Sequence, residues 1–266
     1  MLILPWIQNK LTSGVDRAHK YWPRATPAKE KLRLSKIVAH RGEHDNRNIL
    51  ENSLAAFDQV IDHDVWGIEL DVRWTRDLQP VVFHDPDCQR LFGSPSLINS
   101  VTLDDLRKTF PLIPTLQEVV QRYGKKLHLM IELKKEACPN PVAQNETLTN
   151  LLSELEAATD YHLISLHPDV FQVFDHTPRV SRLLVAEWNV DSISSFALTE
   201  NYGGVAGHYH LLNQARLKKH QLQNQKVGTG FCSSKNCLFR EINRGVDWIF
   251  TNDALKLRWI CNELSR

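Results

Sequence analysis

The sequence predicts an α/β fold, a (β/α)8 TIM barrel, and three observations carry the prediction. Short apolar runs of β character alternate with longer runs of helical periodicity, the rhythm of a mainly parallel sheet. Eight strand-like runs are each followed by a helical one, the count of a closed barrel. The chain of 266 residues has no Gly- or Ser-rich linker. That suits a single barrel of about 250 residues.

The expected strands lie at 37–39, 67–74, 127–133, 163–166, 182–187, 204–209, 227–231 and 248–251. Helical patterns fall at 52–63, 115–123, 145–158, 168–174, 191–199, 214–223, 235–244 and 253–263. One further β-like run, Pro80-Val81-Val82-Phe83-His84, follows the second strand too closely for a parallel crossover. It must return as an antiparallel hairpin, turning at Arg76-Asp77-Leu78-Gln79. A turn centred between 77 and 78 sets Asp71 opposite His84, and a one-residue slip would reverse that facing. Residues 37–266 then form one barrel domain behind an N-terminal extension, 1–36, a helix or an arm.

Composition excludes several classes. Hydrophobic residues make up 42% and charged residues 24%, close to globular averages, so disorder, collagen and coiled coil fail as descriptions. Thirty-two basic residues face 31 acidic ones, a net charge of +1, which gives no overall electrostatic case for nucleic acid. Five scattered cysteines, at 88, 138, 232, 237 and 261, make neither a disulfide framework nor a CxxC zinc site. Reduced thiols in a cytoplasmic protein are the plain reading. The extension holds eight basic residues against two acidic, a net +6. Its apolar start, Met1 to Ile7, is short and lacks the basic stretch that precedes a secretory signal core. The expectation is an arm packed on its own domain, with Trp6 and Ile7 in contact. The alternative is a basic amphipathic segment on an anionic membrane surface, which would make the protein membrane-peripheral.

The chemistry begins with Glu69 and Asp71. Alternate strand residues share a face, so the two carboxylates point the same way and repel. A hard divalent cation bound through oxygen relieves that repulsion. Glu132 stands near the end of another apolar strand and completes an all-oxygen set suited to magnesium or calcium rather than zinc. Surface charge would explain any one of the three alone; three on apolar strands favour metal. His40-Arg41-Gly42 ends the first strand and His84-Asp85 ends the hairpin. Histidines there suit acid–base work near neutral pH. Arg41 offers a planar fork of donors to a phosphate, and Lys134 adds a point charge. Together at the C-terminal mouth of a barrel, these groups suggest phosphoryl chemistry.

The runs AHRG, LENSLAAF and GIELDVRWTRDLQPVVFHD, then IPTLQEVV and HLMIELK, resemble the glycerophosphodiester phosphodiesterases, and GVDWIFTND resembles the family's closing strand. The likeness is dense over 37–134, thinner through the middle, and returns at 245–253. It implies a barrel of the phospholipase C type. It also implies hydrolysis of a small-molecule glycerophosphodiester to glycerol 3-phosphate and an alcohol, with one divalent cation, Mg or Ca. By position, His40 and His84 would be the acid–base pair, and Glu69, Asp71 and Glu132 the metal ligands. Arg41 and Lys134, with Glu51 and Asn52 of the Glu-Asn motif, would bind substrate phosphate or support its site.

The chain departs from the family pattern at three places. Leu50 stands where a Pro usually precedes Glu-Asn, VGTGFCSSKN replaces a late Trp-Thr-Val-Asn strand, and Thr251-Asn252 replaces Thr-Asp. Phe231 is then the candidate for the aromatic wall of the glycerol pocket. Trp188, at a strand end, is a second pocket aromatic unless it only packs.

Rival readings stay open. The basic apolar start motivates a lysophospholipase D-type activity on membrane lysolipids. A barrel that binds a phosphodiester without turnover would have no need of an acid–base pair. A binuclear metal centre would need His208 and His210 as ligands, and no further His/Asp set completes it. Ser165 and His167 touch substrate or cap the next helix. Gly228-x-Gly230 lacks the rest of a dinucleotide fingerprint, and Ser233-Ser234-Lys235 is explained by helix capping.

Overall fold

The structure is a computed structural model that describes residues 20–266. The apolar start at 1–7, with the expected contacts of Trp6 and Ile7, lies outside the described residues. The strands in chain order are β1 (Ile37–His40), β2 (Gly67–Trp74), β3 (Pro80–Val82), β4 (His128–Leu133), β5 (Tyr161–Ser165), β6 (Arg182–Ala186), β7 (Gly204–His208), β8 (Lys226–Gly230) and β9 (Trp248–Thr251). All but β3 run parallel, and β1 pairs with both β2 and β9, which closes an eight-stranded barrel. The helices are α1 (Lys29–Arg33), α2 (Leu54–Ile61), α3 (Gln89–Phe92), α4 (Leu103–Thr109), α5 (Leu116–Tyr123), α6 (Pro141–Leu151), α7 (Val170–Val173), α8 (Val190–Thr199), α9 (Gln214–Gln221), α10 (Lys235–Arg244) and α11 (Ala254–Ser265). Among the described residues no helix is long and apolar enough to cross a membrane.

Strand alternation sorts the side chains. Ile68, Leu70 and Val72 of β2 and Leu129, Ile131 and Leu133 of β4 join the core between sheet and helices. The opposite faces point into the barrel, where Val38, Met130, Ile164, Leu183, Ala206 and Phe250 form an inner core. Glu69, Asp71 and Glu132 lie on those inward faces, above the apolar layer. Helix starts follow side-chain caps: Ser53 Oγ accepts from Ala56 N at 3.2 Å, and Thr115 and Glu118 make a capping box at α5.

The structure corrects the sequence reading in three places. The helix expected at 145–158 spans Pro141–Leu151, because Asn140 caps it and Pro141 occupies its first position. The strand expected from 163 begins at Tyr161. β3 pairs antiparallel with β2, but Val72 stands opposite Val82 and the Phe83 amide bonds the Asp71 carbonyl at 2.9 Å. Asp71 therefore faces Phe83, not His84: the turn is centred one half-residue earlier than expected, and half a residue in the turn is a whole residue in the register.

Between β3 and α5 the sequence analysis assigned no element. There the chain makes α3, a 3-10 turn (Ile98–Ser100) and α4, over a small core that includes Val81, Phe83, Ile98, Leu106 and Phe110. Helices of four and seven residues are too short to show periodicity.

The lower barrel layer holds two buried histidines. His128 Nδ1 donates to the Thr159 carbonyl at 2.8 Å, so its Nε2 must accept, and His162 Nδ1 lies 2.8 Å from it. Trp66 stacks on His128, and Trp248 meets His162 edge-on. Burial lowers His128 to about 4 and, with His128 beside it, His162 to about 3. Both lie below the usual unfolded value, so the unfolded chain takes up protons first as pH falls. Stability is therefore lost from about pH 6.5 downward, by roughly 2 kcal/mol per histidine at pH 5. Thermal unfolding should shift to lower temperature between pH 7 and pH 5. Replacing both by leucine should flatten that dependence; an unchanged slope would remove the pair as its cause.

Residues 20–25 run along α10. Asn236 Nδ2 donates to the Lys20 carbonyl and Asn243 Nδ2 to the Ala25 carbonyl, each at 2.8 Å. Asn236 lies just after β8, at the mouth end, and Asn243 lies in the last turn, at the far end. The strap thus descends from the mouth at Lys20 to α1, whose Leu32 is fully buried and whose Arg33 Nη2 bonds the Ser265 carbonyl at 3.0 Å.

Candidate active site

The parallel register assembles the site. His40 is the partner of Glu69 across β1 and β2, and Asp71 is the partner of Glu132 across β2 and β4. Oxygens of Glu69, Asp71 and Glu132 lie within 4.8 Å of one another, all three side chains buried. No other group of three His, Cys, Asp or Glu among the described residues has ligand spacing. Lys134 Nζ sits 2.6 Å from Asp71 Oδ1 and 2.5 Å from Glu132 Oε1, and Arg41 Nε lies 3.1 Å from Asp71 Oδ2.

The carboxyl groups diverge in acidity. Burial pushes Glu69 well above its usual value, and Asp71 and Glu132 beside it push the same way. Burial also acts on Asp71, but Lys134 and Arg41 outweigh it and hold that carboxyl below its usual range. Glu69 Oε1 is buried with no hydrogen-bond partner. An orphaned carboxylate oxygen beside two more carboxylates is the donor set a hard divalent cation takes, so the residues fit one.

The two histidines are oriented from outside. His40 Nδ1 lies 2.7 Å from Asn252 Oδ1, an atom that can only accept, so Nδ1 carries the proton and Nε2 is left as acceptor, 3.8 Å from Glu69 Oε2. Burial, with Arg41 nearby, lowers His40 to about 4. His84 Nδ1 lies 2.7 Å from Asp85 Oδ1. Asp85 Oδ2 accepts from Arg90 Nε at 2.6 Å, and Arg90 grips both oxygens of Glu51, at 2.6 and 3.0 Å. Glu51 also accepts from Arg41 Nη1 at 2.9 Å and from Asn46 at 2.7 Å. Burial raises Glu51, but the bonds from Arg90 and Asn46 bring it down to about 2. Asn52 Nδ2 donates to Asp71 Oδ2 at 2.7 Å.

Backbone strain supports this arrangement. Arg41 and Asn52 hold φ of 59° and 55°, in the left-handed region non-glycine residues rarely occupy. Gly42 has φ 80°, and a Cβ there would stand 2.8 Å from the Ala56 side chain. Only glycine lets α2 close against the end of β1.

The site opens as a groove of about 460 Å3. One half is polar, with His40, Arg41, Glu69, His84, Glu132 and Lys134. The other is mostly apolar, with Ile164, Val185, Ala206, Leu211 and Phe250 among its lining. Trp188 and Phe231 line it too, 42% and 41% exposed, and the Phe231 ring meets His40 edge-on at 4.7 Å. Every expected residue lies in or beside the groove, with one difference. Glu51 and Asn52 stand behind its wall, because their polar atoms are consumed by Arg41, Arg90 and Asp71.

The sequence analysis missed Asp85 as a partner of His84, and missed Arg90 altogether. Asp85 adjoins His84 in sequence and could have been read; Arg90 lies on the unassigned α3. Asn252 was noted only as a departure, and it holds His40. His208 lines the groove while His210 is exposed, and the pair does not belong to a cluster of ligand spacing.

Comparison with known proteins places this architecture. A Thermotoga maritima glycerophosphodiester phosphodiesterase superposes with a TM-score of 0.71 at 21% identity, over 85% of this chain and 98% of that one. An Oleispira antarctica phosphodiesterase, solved with sn-glycerol-3-phosphate, gives 0.70 at 19%, over 86% and 97%. In sequence, the Caldanaerobacter subterraneus glycerophosphodiester phosphodiesterase is 36% identical over 110 residues, 37% of this chain and 44% of its own length. The human glycerophosphodiester phosphodiesterase 1 is 32% identical over 105 residues, 35% of this chain and 31% of its own. The alignments with these two sequence relatives span less than half of the relatives' length. The family profile itself matches residues 40–256, most of the chain, and with the barrel and its mouth already in place the chain belongs to the glycerophosphoryl diester phosphodiesterase family.

Proposed function

We propose that the chain hydrolyses glycerophosphodiesters to glycerol 3-phosphate and an alcohol, with Glu69, Asp71 and Glu132 holding one divalent cation, magnesium or calcium. The observation that carries the reading is the meeting of three buried carboxylates, two oriented histidines and two cations in one groove. The Oleispira neighbour, captured with glycerol 3-phosphate, supports the product. When bound, the cation adds positive charge where the phosphoryl oxygens gain negative charge. Arg41 and Lys134 bring their charges to the same groove and orient the phosphate. His40, held neutral by burial and paired with a neutral amide, accepts a proton at Nε2 from water or from the neighbouring glycerol hydroxyl. Burial lowers His84 on balance, while the Asp71 and Asp85 carboxylates favour the cationic ring; in its protonated form His84 gives its proton to the leaving alcohol oxygen. Phe231 and Trp188 wall the glycerol end.

Release of glycerol 3-phosphate from glycerophosphocholine and glycerophosphoethanolamine, with magnesium, calcium or a chelator, tests the reading. Glycerol 3-phosphate should appear with metal and cease with chelator. Turnover indifferent to chelator would end the metal assignment; phosphocholine as the product would end the assignment of the bond broken.

A second reading, a lysophospholipase D-type activity on lysolipids, draws on the apolar half of the groove and on the strap. Lys20 stands at the mouth end of α10, beside exposed Tyr21 and Trp22. The strap thus brings exposed aromatic side chains to the substrate side, and the extension as a whole, net +6 in sequence, suits peripheral contact with an anionic membrane through residues 1–36. Lysophosphatidylcholine in vesicles should then be hydrolysed faster than glycerophosphocholine, with the advantage lost on deleting residues 1–19. An advantage that survives the deletion would argue against recruitment by that segment.

A further inference from the structure

The loop between β8 and α10 and the first turn of that helix carry two thiols that the proposed chemistry does not use. Cys232 follows Phe231, and Cys237 lies in the first turn of α10, its amide bonded to Ser234 Oγ at 3.3 Å. Their sulfurs are 2.9 Å apart and both side chains are buried. A disulfide requires an S–S distance of about 2.05 Å, so the sulfurs need to travel less than about 1 Å to bond. The loop is already pinned on its other side, where Thr251 Oγ1 donates to the Cys232 carbonyl at 2.6 Å. Cys88, Cys138 and Cys261 sit elsewhere in the fold, and Cys261 contacts Ser35.

We propose that Cys232 and Cys237 form a redox-modification site, a reversible disulfide that ties the loop bearing Phe231 to the start of α10. The oxidant class is a low-molecular-weight disulfide such as oxidised glutathione. The Cys237 thiolate attacks one sulfur of that disulfide, forming a mixed disulfide and releasing one glutathione thiolate. Cys232 then attacks Cys237 Sγ, its proton passing to solvent, and expels the second glutathione thiolate. Two thiols are oxidised, one external disulfide is reduced, and two glutathiones leave. Phe231 and Ser233 are exposed on either side of Cys232, so opening these few loop residues uncovers the pair without unfolding the barrel. Burial holds the Cys232 thiol well above its usual value, which makes it a poor leaving group and the finished disulfide slow to exchange.

The consequence falls on the substrate wall. Phe231 touches His40, and a tied loop holds that ring in place before substrate arrives. The oxidised form should bind substrate more tightly, with a KM lower by about threefold, the scale of ordering one side chain. This kinetic consequence rests on the proposed reaction; the cysteine site does not.

The full-length chain is equilibrated with oxidised or reduced glutathione, acid-quenched, unfolded, alkylated and weighed. Oxidation should remove two of the five alkylations, with a 232–237 cross-linked peptide on digestion, reversed by a dithiol and absent in Cys237→Ser. Five alkylations after oxidation, or a cross-link through another cysteine, would overturn the site even if the variant fails to fold. A cross-link that leaves the KM for glycerophosphocholine unchanged would sever the pair from Phe231. A chain that forms the cross-link but turns over no glycerophosphodiester in either redox state would sink the proposed reaction and leave the site standing; activity lost only on oxidation would overturn the predicted tightening.

Discussion

His40→Ala and His84→Ala are each expected to lower kcat for glycerophosphocholine by about 10^2–10^4, the usual contribution of a positioned acid or base. Both histidines reach the groove through Nε2 because their Nδ1 atoms are held, by Asn252 and Asp85. The variants should fold, since each side chain is partly open to solvent. KM should move little if binding is carried by Arg41, Lys134 and the cation. Arg90→Ala tests the support behind His84. Arg90 joins Asp85 to Glu51, and Glu51 joins Arg41, so one guanidinium couples the acid to the phosphate clamp. Its loss should cost roughly tenfold in kcat and alter the pH profile, and Arg90→Lys should restore little, since a lysine lacks the planar fork. Activity within threefold of wild type in either histidine variant would remove that residue from the acid–base pair.

Glu69→Gln is expected to abolish metal-dependent turnover while leaving the metal-free protein as stable as wild type, or more so. Three buried carboxylates within 4.8 Å repel; Lys134 bonds Asp71 and Glu132 and Arg41 bonds Asp71, while Glu69 Oε1 goes without a partner. A neutral amide relieves repulsion, the familiar opposition between stability and function at an active site. Thermal unfolding of wild type should rise with added magnesium or calcium, by about 2.7 kcal/mol of stability at a hundredfold excess over Kd. The variant should not respond. Equal metal responses in the two proteins would take Glu69 out of the ligand set.

Much of the site was legible in the sequence because its charged residues interrupt short apolar strands or stand at their ends. Glu69 and Asp71 had to share a face, because strand residues two apart always do. His40 and His84 were readable as strand ends. The groove's second layer was not. Arg90 sits on a four-residue helix in a loop excursion, and no periodicity marks so short an element. The β2–β3 register turned on a single residue, and the turn sequence does not specify its own centre. Asn252 lies 212 residues from His40, and only closure of β1 against β9 brings them together.

The sequence by itself determined the barrel, its order of strands, and the chemical kinds of group at the mouth, because short apolar runs alternating with helical periodicity give the number and order of the elements. Tertiary structure alone decided which atoms those groups present to one another. Parallel register put His40 beside Glu69 and Asp71 beside Glu132, and a long-range contact with Asn252 chose the tautomer of His40. Such outcomes depend on distances of less than an ångström between distant segments, and no local pattern in the chain encodes distances of that kind.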